Sequence, residues 1–212
     1  IYGGEGGLYN MVNNYYKYGP VTSKNVRSRI VNPSKIENQP YGQFYVAGNY
    51  VDGAADVTKN NLAGIHIDPK GTEEEKKTVV KNIAFPTVAI PAQSAEEAYK
   101  SVLLYVGASF QRDTMDMRII NNVINRTGKI IDVQGGYPHH SSFELTTNAW
   151  PVLKSNPAPI DTDQDGMPDE WEIINNLDSK KYNANGRDLD KNYDNIEVYL
   201  NEIVQSITKA QN

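Results

Sequence analysis

Two stretches of this 212-residue sequence share one pattern and decide its expected fold: Leu8-Tyr9-Asn10-Met11-Val12-Asn13-Asn14-Tyr15-Tyr16 and Gln43-Phe44-Tyr45-Val46-Ala47-Gly48-Asn49-Tyr50-Val51. Aligning them places Met11 opposite Val46 and Asn14 opposite Asn49, a spacing of 35 residues. Each stretch is a short run of strand-forming residues followed by asparagine, which tolerates left-handed backbone and hydrogen-bonds nearby backbone groups. We expect such units to stack, with one asparagine bonded to the asparagine above it.

A third unit of the same kind begins at Thr78, in the run Thr78-Val79-Val80-Lys81-Asn82-Ile83-Ala84-Phe85. In stacked repeats, each unit buries its inward residues against its neighbours. The pattern predicts a mainly β fold for residues 1–90, built from rungs of a right-handed parallel β-helix.

Helical signals replace the strand pattern after residue 90. Ser94 and Glu97 have the S-x-x-E spacing of a capping box, which opens a helix. Asp113 is expected to begin a second helix that Gly128 ends, and residues 129–160 are expected to be irregular. This whole segment should pack on the strand units.

The most specific motif lies near the C-terminus, in Asp161-Thr162-Asp163-Gln164-Asp165-Gly166-Met167-Pro168-Asp169-Glu170-Trp171-Glu172. Acidic residues occupy positions 1, 3, 5, 9 and 12, with glycine at position 6, which is the order of an EF-hand-type calcium loop. Calcium takes roughly six to eight oxygen ligands, and Gly166 permits the sharp turn. The candidate ligands are the carboxylates of Asp161, Asp163, Asp165, Asp169 and Glu172 and the backbone carbonyl of Met167.

An acidic, solvated linker or an Asp-rich turn is the alternative interpretation of this loop. Pro168 occupies position 8, where paired EF-hands have a residue whose N–H bonds the partner loop. Proline has no N–H. The sequence therefore predicts a lone calcium loop that staples the structure, followed by a helical extension, rather than a paired sensor.

A second acidic cluster follows without EF-hand spacing, and it is either another ion site or a turn rich in Asx residues. Asp194 and Glu197 then cap a last amphipathic helix, which we expect to dock on the body of the protein. The members of the second cluster are Asn183, Asn185, Asp188, Asp190 and Asp194.

The bulk composition excludes several classes of function. A net charge of −5 and a pI near 5.3 argue against a nucleic-acid surface. No apolar run is long enough for a membrane span, and the absence of cysteine excludes disulfides and thiolate metal sites. Fourteen tyrosines against four phenylalanines are typical either of carbohydrate-facing surfaces or of half-buried strands. Because the chain opens at Ile1 without methionine, we expect a mature piece or a fragment.

Several stretches together resemble the C-terminal part of bacterial, Bacteroides-type pectate lyases. Residues 2–20, beginning Tyr2-Gly3-Gly4-Glu5-Gly6-Gly7, and residues 45–53 are similar to late rungs of those enzymes. Residues 102–127 are similar to the helical segment that follows, and residues 161–171 with 195–200 to the C-terminal extension. The resemblance covers nearly the whole chain, but only part of such an enzyme.

The resemblance implies calcium-assisted β-elimination on polygalacturonate. In this chemistry calcium bridges the uronate carboxylate and acidifies the proton at C5, and an arginine acts as general base. The family's catalytic arginine and its acidic cluster belong to rungs before Tyr2, so catalytic and substrate-binding residues stay unassigned. The arginines to which the family's base cannot be mapped are Arg27, Arg29, Arg112, Arg118, Arg126 and Arg187.

The implied partners are a pectate or polygalacturonate-type polysaccharide and the upstream part of the same enzyme, without nucleic acid or a membrane span. The implied location is secreted, periplasmic or cell-surface. The expected division is residues 1–90 for the rungs, 91–160 for the packing segment and 161–212 for the calcium-loop extension. Two other readings stay open, namely a non-catalytic, calcium-stapled carbohydrate-binding or adhesion module and a dockerin-like tail, which would show two duplicated loops.

Overall fold

Strands lie in the first part of the chain and the longer helices in the rest. The computed structural model describes residues 1–129, 133, 137–147 and 149–211, so part of the segment predicted to be irregular lies outside the described residues. The strands are β1 Tyr2–Gly3, β2 Leu8–Val12, β3 Tyr15–Tyr16, β4 Asn32–Pro33, β5 Gln43–Ala47, β6 Tyr50–Val51 and β7 Val80–Lys81. The helices are α1 Ala55–Lys59, α2 Glu73–Lys77, α3 Ala95–Tyr105, α4 Thr114–Asn125, α5 Phe143–Thr146, α6 Asp169–Ile174, α7 Asn195–Ile203 and α8 Gln205–Ala210.

The strands pair in three short parallel stacks. β1 pairs with β4, β5 lies between β2 and β7, and β3 pairs with β6. Met11 is opposite Val46 in the second stack, and Tyr15 is opposite Tyr50 in the third. These registers confirm the alignment drawn from the sequence, and β7 confirms that the third unit, beginning at Thr78, contributes a strand to the same stack.

Asparagines join the two repeats at the turn between the second and third stacks. Asn49 is buried, and its Oδ1 accepts hydrogen bonds of 2.9 Å from both the backbone N–H and the Nδ2 of Asn14. Its own Nδ2 donates to the Met11 carbonyl at 2.7 Å. Asn61 adds a second buried amide, whose Oδ1 accepts from the Asn49 backbone N–H at 2.7 Å. The expected contact between stacked asparagines is therefore confirmed.

The apolar core lies among these strands. Its buried members all fall between Met11 and Val79, and they include Phe44, which stacks on Tyr9 at 4.9 Å between ring centroids. A second aromatic contact joins this core region to the helices, because Tyr15 stacks on Tyr99 of α3 at 4.2 Å. The buried cluster consists of Met11, Ile30, Val31, Tyr41, Phe44, Val46, Val51, Val57 and Val79.

The expected fold class, a mainly β chain of right-handed parallel β-helix rungs, is wrong. The structure is 32% helix and 11% strand, and its described residues form no closed solenoid. The strands are only two to five residues long, and short helices and turns occupy much of the chain between them. The sequence repeat identified which residues pair between strands. It did not determine how many residues each strand contains, and the short strands explain the low strand content.

The helix signals were more accurate at the starts than at the ends. Ser94 and Glu97 form the capping box of α3, and the Asp113 side chain accepts from the first amides of α4. α4 ends earlier than expected, because Arg126 rather than Gly128 adopts the left-handed conformation, with φ of 54°. Among the described residues, no helix is long and apolar enough to cross a membrane.

Candidate metal site in the acidic loop

The acidic loop, residues 161–172, winds around its own carboxylates. The backbone N–H of Gly166 donates to Asp161 Oδ2 at 3.0 Å, and the N–H of Met167 donates to Asp165 Oδ1 at 3.1 Å. The N–H of Asp165 donates to Asp163 Oδ1 at 3.2 Å. Gly166 has φ of 95°, the left-handed turn for which the sequence motif requires glycine. These bonds point the acidic side chains inward.

Three of the predicted ligands come together at the centre of the loop. Carboxylate oxygens of Asp161, Asp163 and Asp165 lie within 4.8 Å of one another. Asp165 is 7% exposed, and Glu172, in the first turn of α6, is 0% exposed. Carboxylates this close repel one another, and burying them adds the cost of lost hydration.

Two buried carboxylate oxygens in this loop have no hydrogen-bond donor, namely Asp163 Oδ2 and Glu172 Oε2. Desolvation raises the pKa of both groups, and the neighbouring Asp165 charge raises it further in each case. Buried acceptors without donors are rare in folded proteins, so each calls for a physical explanation.

The other two predicted ligands differ in their surroundings. Met167 is fully buried in the turn. Asp169 uses both carboxylate oxygens on Thr162, accepting from its backbone N–H at 2.7 Å and from its hydroxyl at 2.6 Å. These bonds lower the pKa of Asp169. The structure therefore does not bring the Asp169 carboxylate into the close cluster, a position that EF-hands often fill through a water.

Asn183 supports the loop from a distance in sequence. Its backbone N–H donates to Asp165 Oδ2 at 3.0 Å, and its Nδ2 donates to Glu172 Oε1 at 3.1 Å. Sequence reasoning placed Asn183 only in the second acidic cluster, because no spacing rule links it to the first loop. The buried Asn195 in turn donates to the Asn183 carbonyl at 2.9 Å, which ties the start of α7 to this support.

α6 and α7 pack beside the acidic loop. Trp171 of α6 donates its indole N–H to Glu202 at 2.7 Å and contacts the Tyr199 ring at 5.1 Å between centroids. A Cβ added at Gly166 would lie 3.4 Å from Ile196 Cδ1 of α7. α7 therefore docks on the acidic loop and on α6.

The second acidic cluster is held by protein donors. Asp188 Oδ2 accepts from Asn195 Nδ2 at 2.9 Å, and Asp194 accepts from Arg187 Nε at 2.8 Å. Asp190 accepts from the backbone N–H of Asn192 at 2.7 Å. In the described ranges, the three carboxylates drawn close enough for a shared ion are those of the first loop. A second ion in this cluster stays a prediction without structural support.

The arginines have mostly structural contacts. Arg27 donates to the Thr22 carbonyl at 3.1 Å, and Arg126 pairs with Asp52. Both guanidinium groups lie against the Tyr18 ring, at 4.4 and 4.6 Å from its centroid. These contacts assign a catalytic role to neither arginine.

Comparison with known proteins finds sequence relatives of one kind. No protein-family model matches the chain. The probable pectate lyase C of Aspergillus flavus is 30% identical over 201 residues, which cover 93% of this chain and 42% of that protein. The probable pectate lyases C of Aspergillus oryzae and Emericella nidulans are 29% and 27% identical, covering 93% and 90% of this chain.

The chain thus spans less than half the length of the curated relatives it matches. These relatives are fungal, so they do not support the bacterial, Bacteroides-type part of the resemblance. The similarity extends over nearly the whole of this chain, which therefore resembles one part of these probable pectate lyases.

Proposed function

We propose that this chain is the calcium-braced, mainly structural part of a pectate-lyase-like enzyme, and that its acidic loop binds one Ca²⁺. The observation that carries the proposal is the pair of buried carboxylate oxygens without donors, Asp163 Oδ2 and Glu172 Oε2. A divalent cation compensates such oxygens where the protein provides no N–H or O–H. It also offsets the repulsion among the three clustered aspartates.

The ligand set combines the cluster with the residues that surround it. Asp161, Asp163, Asp165 and Glu172 would supply carboxylate oxygens, and Met167 its carbonyl. Asp169 would act through a water or after release from Thr162. The bound ion would fix the turn that α6 and α7 cover, which is a bracing role. The proposal also includes secretion of the protein and a requirement of the enzyme for calcium. It keeps the division into strand units at residues 1–90, a packing segment at 91–160 and the calcium-loop extension at 161–212.

The reaction of the whole enzyme would be β-elimination on a polygalacturonate-type polysaccharide. The relatives' names support this assignment. The catalytic arginine would lie in the upstream part of the same enzyme, as the family resemblance implies. The chain would then serve catalysis by stabilising the body that carries the active site.

Calcium titration by calorimetry tests the ion site directly. The chelator-treated wild-type chain should bind about one ion per molecule, and Glu172→Gln should bind it at least tenfold more weakly. Glu170→Gln is the matched control, because Glu170 is exposed on the same helix. Equal affinity in both variants, or no binding by the wild type, would overturn the proposed site.

Incubation of the chain with polygalacturonate and calcium tests the division of labour. We expect no increase in the ultraviolet absorbance of unsaturated uronate product from this chain alone. Steady product formation would contradict the upstream placement of the catalytic centre, and it would do so without bearing on the calcium site.

A further inference from the structure

A groove with a mixed polar and apolar lining lies between α4 and the segment 149–154, and it includes none of the residues of the acidic loop. It consists of two cavities, with volumes of about 660 and 180 Å³. Thr114 and Arg118 line both of them, so the two cavities adjoin on one side of α4. We call this feature the α4 groove.

The α4 groove is positively charged in a chain whose net charge is −5. Arg112, Arg118 and Lys154 line the larger cavity, and Asp113 is the acidic residue beside them. The Asp113 carboxylate accepts from the backbone N–H groups of Met115 and Asp116 at 2.8 and 3.0 Å, so it is committed to the start of α4. Three cationic side chains against one acidic side chain favour an anionic ligand in this groove.

Two of the three cations are available to a ligand. Arg112 donates to the Leu104 and Val106 carbonyls at 2.8 Å each, so it caps the end of α3. Within the part of the chain that the structure describes, Arg118 and Lys154 have no hydrogen bond or ion pair. Two unpaired cations along one groove suit a ligand with repeated negative charges.

The neutral lining suits hydroxyl groups. Gln111, Thr114 and Asn121 offer amide and hydroxyl groups in the larger cavity, and these groups both donate and accept. Met117, Val152 and Leu153 add apolar surface to the larger cavity. Ligand sites combine such apolar surface with a few placed polar groups.

We propose that the α4 groove binds an acidic oligosaccharide, with sugar carboxylates on Arg118 and Lys154 and sugar hydroxyls on the neighbouring amides. The choice of an oligogalacturonide as the probe rests on the proposed function. The preference of the groove for an anionic ligand rests only on its lining residues. Because the cations themselves contact the carboxylates, this binding does not need calcium.

Calorimetry with a purified galacturonate octamer, at low salt and with chelator present, tests the proposal. The wild-type chain should bind, and the double variant Arg118→Gln with Lys154→Gln should bind at least about tenfold more weakly, since charge-assisted hydrogen bonds are lost. Arg187→Gln is the control, because Arg187 pairs with Asp194 and does not line the groove. Raising the salt should weaken wild-type binding.

Two further ligands define what the groove recognises. The fully methyl-esterified octamer and a neutral galactose oligomer should bind at least about tenfold more weakly than the acid form. Equal binding of the neutral oligomer, displacement by equimolar inorganic phosphate, unchanged affinity of the double variant, or no binding by the wild type would each overturn the proposal. Any of these results would leave the calcium site intact, since calcium titration measures that site separately.

Discussion

The strand region and the acidic loop region are held together by different forces. The buried apolar cluster lies entirely between Met11 and Val79. Around the loop, the buried residues include Asp165, Glu172 and Asn195 beside Met167 and Ala184. Apolar burial needs no bound ion to stabilise a fold, whereas clustered carboxylates stabilise it only when their charge is compensated. If the proposed calcium site is correct, the stability of the loop region should depend on calcium and that of the strand region should not.

Loss of the central aromatic ring should have the largest effect. Phe44→Ala empties a fully buried position and removes the stacking on Tyr9, so we expect a loss of about 3–5 kcal/mol in unfolding free energy. Urea denaturation should give the same loss with calcium and with chelator. Phe110→Ala, at a position 66% exposed, is the control and should change stability by less than ~0.5 kcal/mol. A calcium-dependent loss in Phe44→Ala would show that the two regions are not energetically separate.

Removal of calcium should have the next largest effect, and it should act on the loop region. An ion that binds only the folded state adds about 2.7 kcal/mol at a hundredfold excess over its Kd. Chelator should therefore lower the melting temperature of the wild type, and Asp161→Ala should no longer respond to it. Asp56→Ala, at an exposed position of α1, should respond like the wild type. A wild-type melt that is identical with and without chelator would refute a structural ion.

Asn49→Ala tests the polar component of the strand region. The change leaves the Asn14 N–H and the Met11 carbonyl without their buried partner, which should cost about 1–3 kcal/mol. Hydrogen exchange at the Asn14 amide should accelerate, and calcium should not restore it. Asn60→Ala, at an exposed position, serves as control. Unchanged protection at Asn14 would mean that this hydrogen bond does not stabilise the turn.

The smallest effect concerns one charge in the strand region. Burial opposes ionisation of Asp68, but hydrogen bonds from the Tyr41 hydroxyl and from the Lys35 and Lys70 amides outweigh it, so its pKa lies below the usual 3.8. A depressed carboxyl pKa stabilises the fold above the unfolded-state pKa, and this contribution disappears as the pH falls through the folded-state pKa. Between about pH 6 and pH 3, urea midpoints should therefore fall slightly more for the wild type than for Asp68→Asn. If the urea midpoints of the two proteins fall equally with pH, Asp68 makes no such contribution to stability.

Local patterns in the sequence were enough to identify contacts between neighbouring repeats. The spacing of Met11 and Val46 and the Asn14–Asn49 contact follow from matching strand and turn chemistry. Helix starts were equally readable, because a capping box is a local hydrogen-bond pattern. The overall proportion of helix and strand was not readable, since it depends on how far each strand continues beyond its paired residues.

Contacts without a fixed spacing escaped sequence reasoning in both regions. Asn61 reaches Asn49 because the turn of chain between them folds back, and Asn183 reaches Glu172 because the segment after α6 returns to the acidic loop. The two hydrogen bonds from Thr162 to Asp169 were likewise not expected, and the ligand role of Asp169 stays a prediction. In each case the hydrogen-bond partner is determined by the folded geometry, which a sequence motif does not contain.

Trp171 can serve as an intrinsic fluorescence probe of the acidic loop region. The sequence has two tryptophans, Trp150 and Trp171, so the strand region contains none. Trp171 contacts Tyr199 and Glu202 beside the acidic loop. Replacing the exposed Trp150 with phenylalanine would leave a single indole whose fluorescence follows the C-terminal helices. Fluorescence excited at wavelengths that only tryptophan absorbs would then report the unfolding of the C-terminal helices. Far-ultraviolet circular dichroism would report the unfolding of the whole chain, and neither measurement needs an attached dye.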